Sequence, residues 1–91
     1  MQETYLSHPT FGLLYSLCAL GEREALFTTL YTQRLFFRVT YSNDAREALS
    51  FDPVSRQEAR ILFEEQLRLV RFHNRKGDLE RLQTTYKQMF S

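Results

Sequence analysis

Along the first fifty residues apolar side chains recur at every second position, the spacing of strands rather than helices. From Phe11 onward Leu13, Tyr15, Leu17 and Ala19 point one way and Gly12, Leu14, Ser16 and Cys18 the other, and both sets are largely apolar. Such a strand is central and covered on both faces, as in a strongly curved sheet or small barrel. Short polar runs punctuate the pattern. Leu20, Gly21, Glu22 and Arg23 make a tight connection into a strand over residues 24–30. Tyr31, Thr32 and Gln33 turn into a strand over 34–41, and Ser42, Asn43 and Asp44 turn into a last strand ending near Phe51. With an opening strand over residues 4–7, about five short strands are predicted.

The period changes at Asp52 and Pro53. Ser55 followed three residues later by Glu58 is a capping box, in which each side chain accepts an otherwise unpaired backbone N–H, so a helix begins there. Ala59, Leu62, Phe63, Leu67 and Val70 form its apolar stripe, widened by Leu69, while Arg60, Glu64 and Arg68 form a solvated ladder. Ile61 and Phe72 sit off the stripe, placed to meet a second surface. The helix should stop within residues 73–77, and Asp78 is the candidate N-cap of a second helix whose Leu79, Leu82, Tyr86, Met89 and Phe90 line one face. Two antiparallel helices joined by a Gly-containing turn follow from this pattern. The expected organisation is α+β: a five-stranded β-domain over residues 1–53 and a two-helix hairpin over residues 54–91.

Composition adds one decisive feature. Eight of the thirteen Tyr and Phe residues fall within the first forty-one positions, more than the single buried face of a small sheet can take in. Some must remain at the surface, where aromatic side chains mark contact with a partner. The 91 residues suit one compact unit, and 43% hydrophobic with 25% charged residues excludes wholesale disorder. The net charge of +1 lacks the positive field that non-specific nucleic-acid binding needs. Cys18 is the sole cysteine, which excludes an internal disulfide and fits a reducing cytosol. The start of the chain has no basic run leading into an apolar one, and no segment approaches a membrane span, so a soluble cytoplasmic protein is expected.

No constellation of acids, histidines or cysteines points to catalysis. His8 precedes Pro9, which holds it extended, and its expected role is a turn residue whose imidazole bonds to backbone. Cys18 lies in an apolar strand as a small buried side chain. Glu64 and Glu65 are adjacent on a helix, so they point apart and cannot work as a facing acid/base pair. No phosphate loop or nucleotide fingerprint is present. No catalytic, metal or cofactor site is therefore expected. Tyr31, Gln33, Leu35 and Phe37 mix aromatic anchors with an amide beside Arg34, a composition favoured at protein interfaces. Periodicity alone leaves open whether Leu35 and Phe37 are part of that face or of the core. Arg68, Arg71, Arg75 and Lys76 form a basic strip, either a solvated face or a docking strip for an acidic partner or RNA.

The runs YLSHPTFGLLY, LFTTLYTQRLFF and FDPVSRQEAR resemble the PipX family of small cyanobacterial PII-interacting proteins. The resemblance extends over essentially the whole chain, with Arg38 standing where an apolar residue is common. It implies a Tudor-like, KOW-related β-domain followed by a helical hairpin. It also implies a non-enzymatic adaptor in nitrogen regulation that binds either the trimeric signalling protein PII, about one chain per subunit, or the dimeric, 2-oxoglutarate-loaded transcription factor NtcA as its coactivator. The implied contact residues are Glu3, Tyr5, Phe11, Tyr31, Gln33, Arg34, Leu35 and Phe37. For the strip Arg68, Arg71, Arg75 and Lys76 the expectation is a second contact, to the transcription machinery. No membrane or direct nucleic-acid partner is expected, although Tudor-like and KOW folds that touch RNA make an RNA-binding module the competing reading.

Overall fold

The computed structural model describes residues 5–31, 35–43, 47–73 and 76–90. Five strands, β1 (Tyr5–His8), β2 (Gly12–Ala19), β3 (Glu24–Thr29), β4 (Phe36–Tyr41) and β5 (Ala48–Val54), precede two helices, α1 (Arg56–Phe72) and α2 (Lys76–Phe90). Each strand pairs antiparallel with its chain neighbour, in the order β1-β2-β3-β4-β5. The sheet curls. At one end the His8 ring of β1 lies 5.0 Å from Phe51 of β5 and 5.8 Å from Phe37 of β4, so the first strand reaches the last two. A curled five-stranded antiparallel sheet followed by two helices is the α+β architecture expected from the sequence.

Alternation along the strands gives the sheet two apolar faces. Inside the curl pack Leu14, Ala25, Phe27, Phe37, Val39 and Tyr41, with Leu6, Ala48 and Phe51 against them. The outer face presents Leu17, Cys18, Leu26 and Phe36 to Ala59 and Phe63 of α1 and to Leu82, Met89 and Phe90 of α2. A bulge in β2 corrects the strict alternation read from the sequence. Ser16 pairs with Phe27 and Cys18 with Leu26, so the extra residue, Leu17, lets Cys18 join it on the helix side.

Two further boundaries differ from the pattern-based reading. Strand β5 does not stop near Phe51 but runs through Asp52 and Pro53 to Val54. An edge strand tolerates a proline because its outward N–H has no ladder partner to lose. Helix α2 begins at Lys76, so Asp78 is not its cap. The carboxylate lies in the first turn, where it complements the helix dipole and accepts from Arg81 at 3.0 Å. Arg38 is accommodated on the outer face, half-exposed and bridged to Glu24 at 2.7 Å. A pair that exposed contributes at most about 1 kcal/mol.

At the start of α1 the Ser55 hydroxyl accepts from the Glu58 N–H at 3.0 Å while the Glu58 carboxylate accepts from the Ser55 N–H at 3.3 Å. The helices run antiparallel: Arg56 donates to the Met89 carbonyl at 2.9 Å, and Tyr86 donates to Glu64 at 2.5 Å. Glu64 is thus turned toward α2 rather than being a wholly solvated charge. Phe90 links all three parts, stacked on Phe36 of the sheet at 5.5 Å, edge-on to Phe63 of α1 at 5.9 Å and beneath the Arg56 guanidinium.

Phe63 sits fully buried at this junction. Phe63→Ala is expected to lower unfolding stability by about 3–5 kcal/mol in a urea titration, the cost of removing a buried aromatic ring. Burial also pushes the Cys18 thiol from its ordinary 9.0 up to about 12. The folded chain then holds a proton that the unfolded chain releases, so stability is fully present below pH 9 and falls as pH rises toward 12. Cys18→Ala should make that alkaline decline shallower when urea titrations are repeated across this range.

Candidate functional site

In an antiparallel meander, alternate connections lie at the same end of the sheet. The turn at residues 9–11, the connection from β3 to β4 and the exit of β5 therefore share one end, and the connections from β2 to β3 and from β4 to β5 share the other. The second end is polar: Gly21, Glu22, Arg23 and Asn43 are exposed there, and Arg23 donates to the Asn43 side chain. The first end is apolar.

Three local devices build that apolar end. His8 Nδ1 accepts from the backbone N–H of Thr10 at 3.0 Å and of Phe11 at 3.2 Å, the backbone-bonding role expected of it. Gly12 closes the hairpin with φ of 77°, a left-handed conformation that a side chain would strain. The turn so fixed lays the Phe11 ring 5.0 Å from His8 and 5.3 Å from Phe37. Across the end, Leu30 donates to the Leu13 carbonyl at 2.9 Å, while the Leu35 carbonyl accepts from the Thr29 N–H at 3.2 Å and the Thr28 hydroxyl at 2.8 Å. These bonds anchor both ends of the β3–β4 connection.

The residues singled out in the sequence separate into distinct places. Tyr31 is 85% exposed, and Leu35 and Phe11 are each 44% exposed at the same end. Phe37, by contrast, is 3% exposed and supports Phe11 from within the curl. This resolves the alternative left open by periodicity: Phe37 is core and Leu35 is surface. Tyr5 lies elsewhere. It pairs with Tyr15, whose hydroxyl contacts Met89 of α2, and so belongs to the helix side of the sheet. Glu3, Gln33, Arg34 and Arg75 lie outside the described residues. Arg68 and Arg71 are exposed on α1, and Lys76 opens α2.

Phe51 is what residue patterning missed. It looks like an ordinary strand residue, yet it packs edge-on against His8 from the far side of the sheet. The motif HPTFG signals the turn, but only the curl supplies the ring that the turn rests on.

A cleft of about 410 Å³ between the helices presents Arg56, Gln57, Arg60 and Phe90, which supply two cations and a ring but no nucleophile. Among the described residues, no group of three or more His, Cys, Asp or Glu could hold a metal ion. No helix among them is long and apolar enough to cross a membrane.

The family model of PipX, PII-interacting protein X, matches residues 2–90. The chain belongs to this family. Membership in PipX makes it a PII-interacting protein, in keeping with a small fold that exposes aromatic side chains at one end. No curated protein matches the chain.

For this PipX chain, His8→Phe keeps a ring against Phe37 and Phe51 but removes both backbone acceptor contacts. We expect the substitution to cost about 1–2 kcal/mol. Exchange of the Thr10 and Phe11 amide hydrogens, followed by NMR, should accelerate by at least about tenfold while amides in β3 change less.

Proposed function

We propose that the chain is a non-enzymatic adaptor in nitrogen regulation whose apolar loop end engages PII or, alternatively, 2-oxoglutarate-loaded NtcA, on which it acts as coactivator. The observation that carries this reading is the state of Tyr31. A tyrosine 85% exposed contributes little to its own fold, and here it stands with Leu35 and Phe11 on a hydrogen-bonded scaffold. Rigid aromatic anchors ringed by smaller apolar groups are what interface hot spots are made of. Gln33 and Arg34, beside Tyr31 in the chain, extend the proposed contact with an amide and a guanidinium, while Glu3 and Tyr5, the latter on the helix side of the sheet, are proposed as a separate contact.

One such surface cannot serve two partners at once, so PII and NtcA compete for it. Regulation then needs no effector site on this chain. PII senses ATP, ADP and 2-oxoglutarate, and when it releases the adaptor the free concentration rises. An adaptor that prefers the 2-oxoglutarate-loaded conformer of NtcA raises the population of that conformer and, by reciprocity, tightens effector binding.

Calorimetric titration of the purified chain into its host's PII tests the reading. Binding near one chain per subunit is expected with ADP, and loss of binding with ATP plus 2-oxoglutarate. Tyr31→Ala should weaken the ADP-state complex by about 2 kcal/mol or more, roughly thirtyfold in Kd. A folded Tyr31→Ala chain that binds both PII and NtcA normally would remove the loop end from the mechanism.

A further inference from the structure

At the end of β1 a histidine stands where a hydrocarbon ring would satisfy the packing. His8 is half-buried, with Phe11 of the turn at 5.0 Å, Phe37 of β4 at 5.8 Å and Phe51 of β5 at 5.0 Å around its ring. A phenylalanine would meet all three. What the imidazole adds is nitrogen, and Nδ1 accepts the backbone N–H groups of Thr10 at 3.0 Å and Phe11 at 3.2 Å. A ring nitrogen that accepts carries no proton, so the neutral ring holds its proton on Nε2.

That geometry ties the turn to the charge state of one side chain. A second proton on the ring goes to Nδ1, where it meets two N–H groups already pointing at it, so both hydrogen bonds are lost together. Among the described residues, those facing the ring from the turn, β4 and β5 are Phe11, Phe37 and Phe51, with Gly12 of β2 opposite it in register, and none of them titrates. Asp52, next along β5, is paired in register with Arg38 on the outer face. No carboxylate among these residues therefore offsets an imidazolium. Attraction between the cation and the face of Phe37 acts on the ring alone and restores neither contact. The freed amides turn to water, and the hold on Phe11, itself 44% exposed, goes with them.

Resting on the loop end as the docking surface, we propose that His8 is a positioning residue for partner binding that acts only as the neutral imidazole. Binding by this end is then proton-linked. Phe11 stands there with Tyr31 and Leu35, so a chain with a charged His8 presents an incomplete surface. Apparent affinity falls with the fraction of chains competent to dock, and by reciprocity a bound partner resists protonation of the ring. Acidification from about pH 8 to about pH 5.5 spans the range in which imidazoles take up a proton.

The test begins with the free, isotope-labelled full chain, followed by NMR from about pH 8 to about pH 5.5. The Thr10 and Phe11 amide signals should move with the His8 ring signals at a shared midpoint. Their protection factors should drop at least about tenfold across it while those in β3 hold. His8→Asn offers a carbonyl oxygen that takes up no proton, in a turn-favouring Asn-Pro pair, and should show no such step. His73→Gln removes the other imidazole and should retain it. Calorimetric titration of PII with ADP at the two ends of the pH range then compares each chain with itself, so that ionisation of PII cancels between chains. Acid should weaken the unmodified chain about fivefold more than it weakens His8→Asn. Turn amides that ignore the charging of His8 overturn the proposal and leave the loop-end reading standing. Turn amides that follow His8, with the same acid response in both chains or no binding by either, overturn the two together.

Discussion

A five-stranded sheet buries little surface from one side, and this one is stabilised by burying both. The alternation of β3 and β4 sends Phe27, Phe37 and Val39 into the curl and Leu26 and Phe36 out toward the helices. Each face needs its own cover. The curl closes the inner one by bringing His8 against Phe37 and Phe51, and the helix pair closes the outer one through Phe63 and Phe90. Without either cover, a row of large apolar side chains would face water, at about 25 cal/mol for every Å² exposed.

Closure of the inner core also positions the candidate surface. Phe11 is held because His8 accepts two amide hydrogens of the turn, and His8 is held because rings of β4 and β5 pack against it. The exposed aromatic patch is therefore continuous with the core through Phe37. Tyr31 and Leu35 stand on a connection whose two ends are fixed by backbone bonds to β2 and β3. Those two ends are thus tied to the sheet before a partner arrives, so binding loses less conformational entropy at Tyr31 and Leu35 than if the ends were free.

The helices have an outward side as well as an inward one, and the two differ in kind. Inward, Ala59, Phe63, Leu82, Met89 and Phe90 fill space beneath the sheet. Outward, α1 carries Ile61, Glu65, Arg68 and the exposed Phe72.

Strand and helix periods, the Ser55 capping box, the apolar stripe of α1 and the backbone-bonding role of His8 were all legible in the chain, because each depends on residues a few positions apart. The family was legible too, in long runs such as LFTTLYTQRLFF. What lay beyond reach depends on distant pairs. The bulge that turns Cys18 toward the helices is defined by its register with Leu26, and the burial of Phe37 beside an exposed Leu35 is set by the curl. Tyr5 and Tyr31, alike as exposed aromatics in sequence, belong to different parts of the sheet because strand pairing places one beside Tyr15 and topology places the other at the loop end. Local spacing determines which elements form and which residues can share a face; only packing across the sheet decides which of those faces meets water.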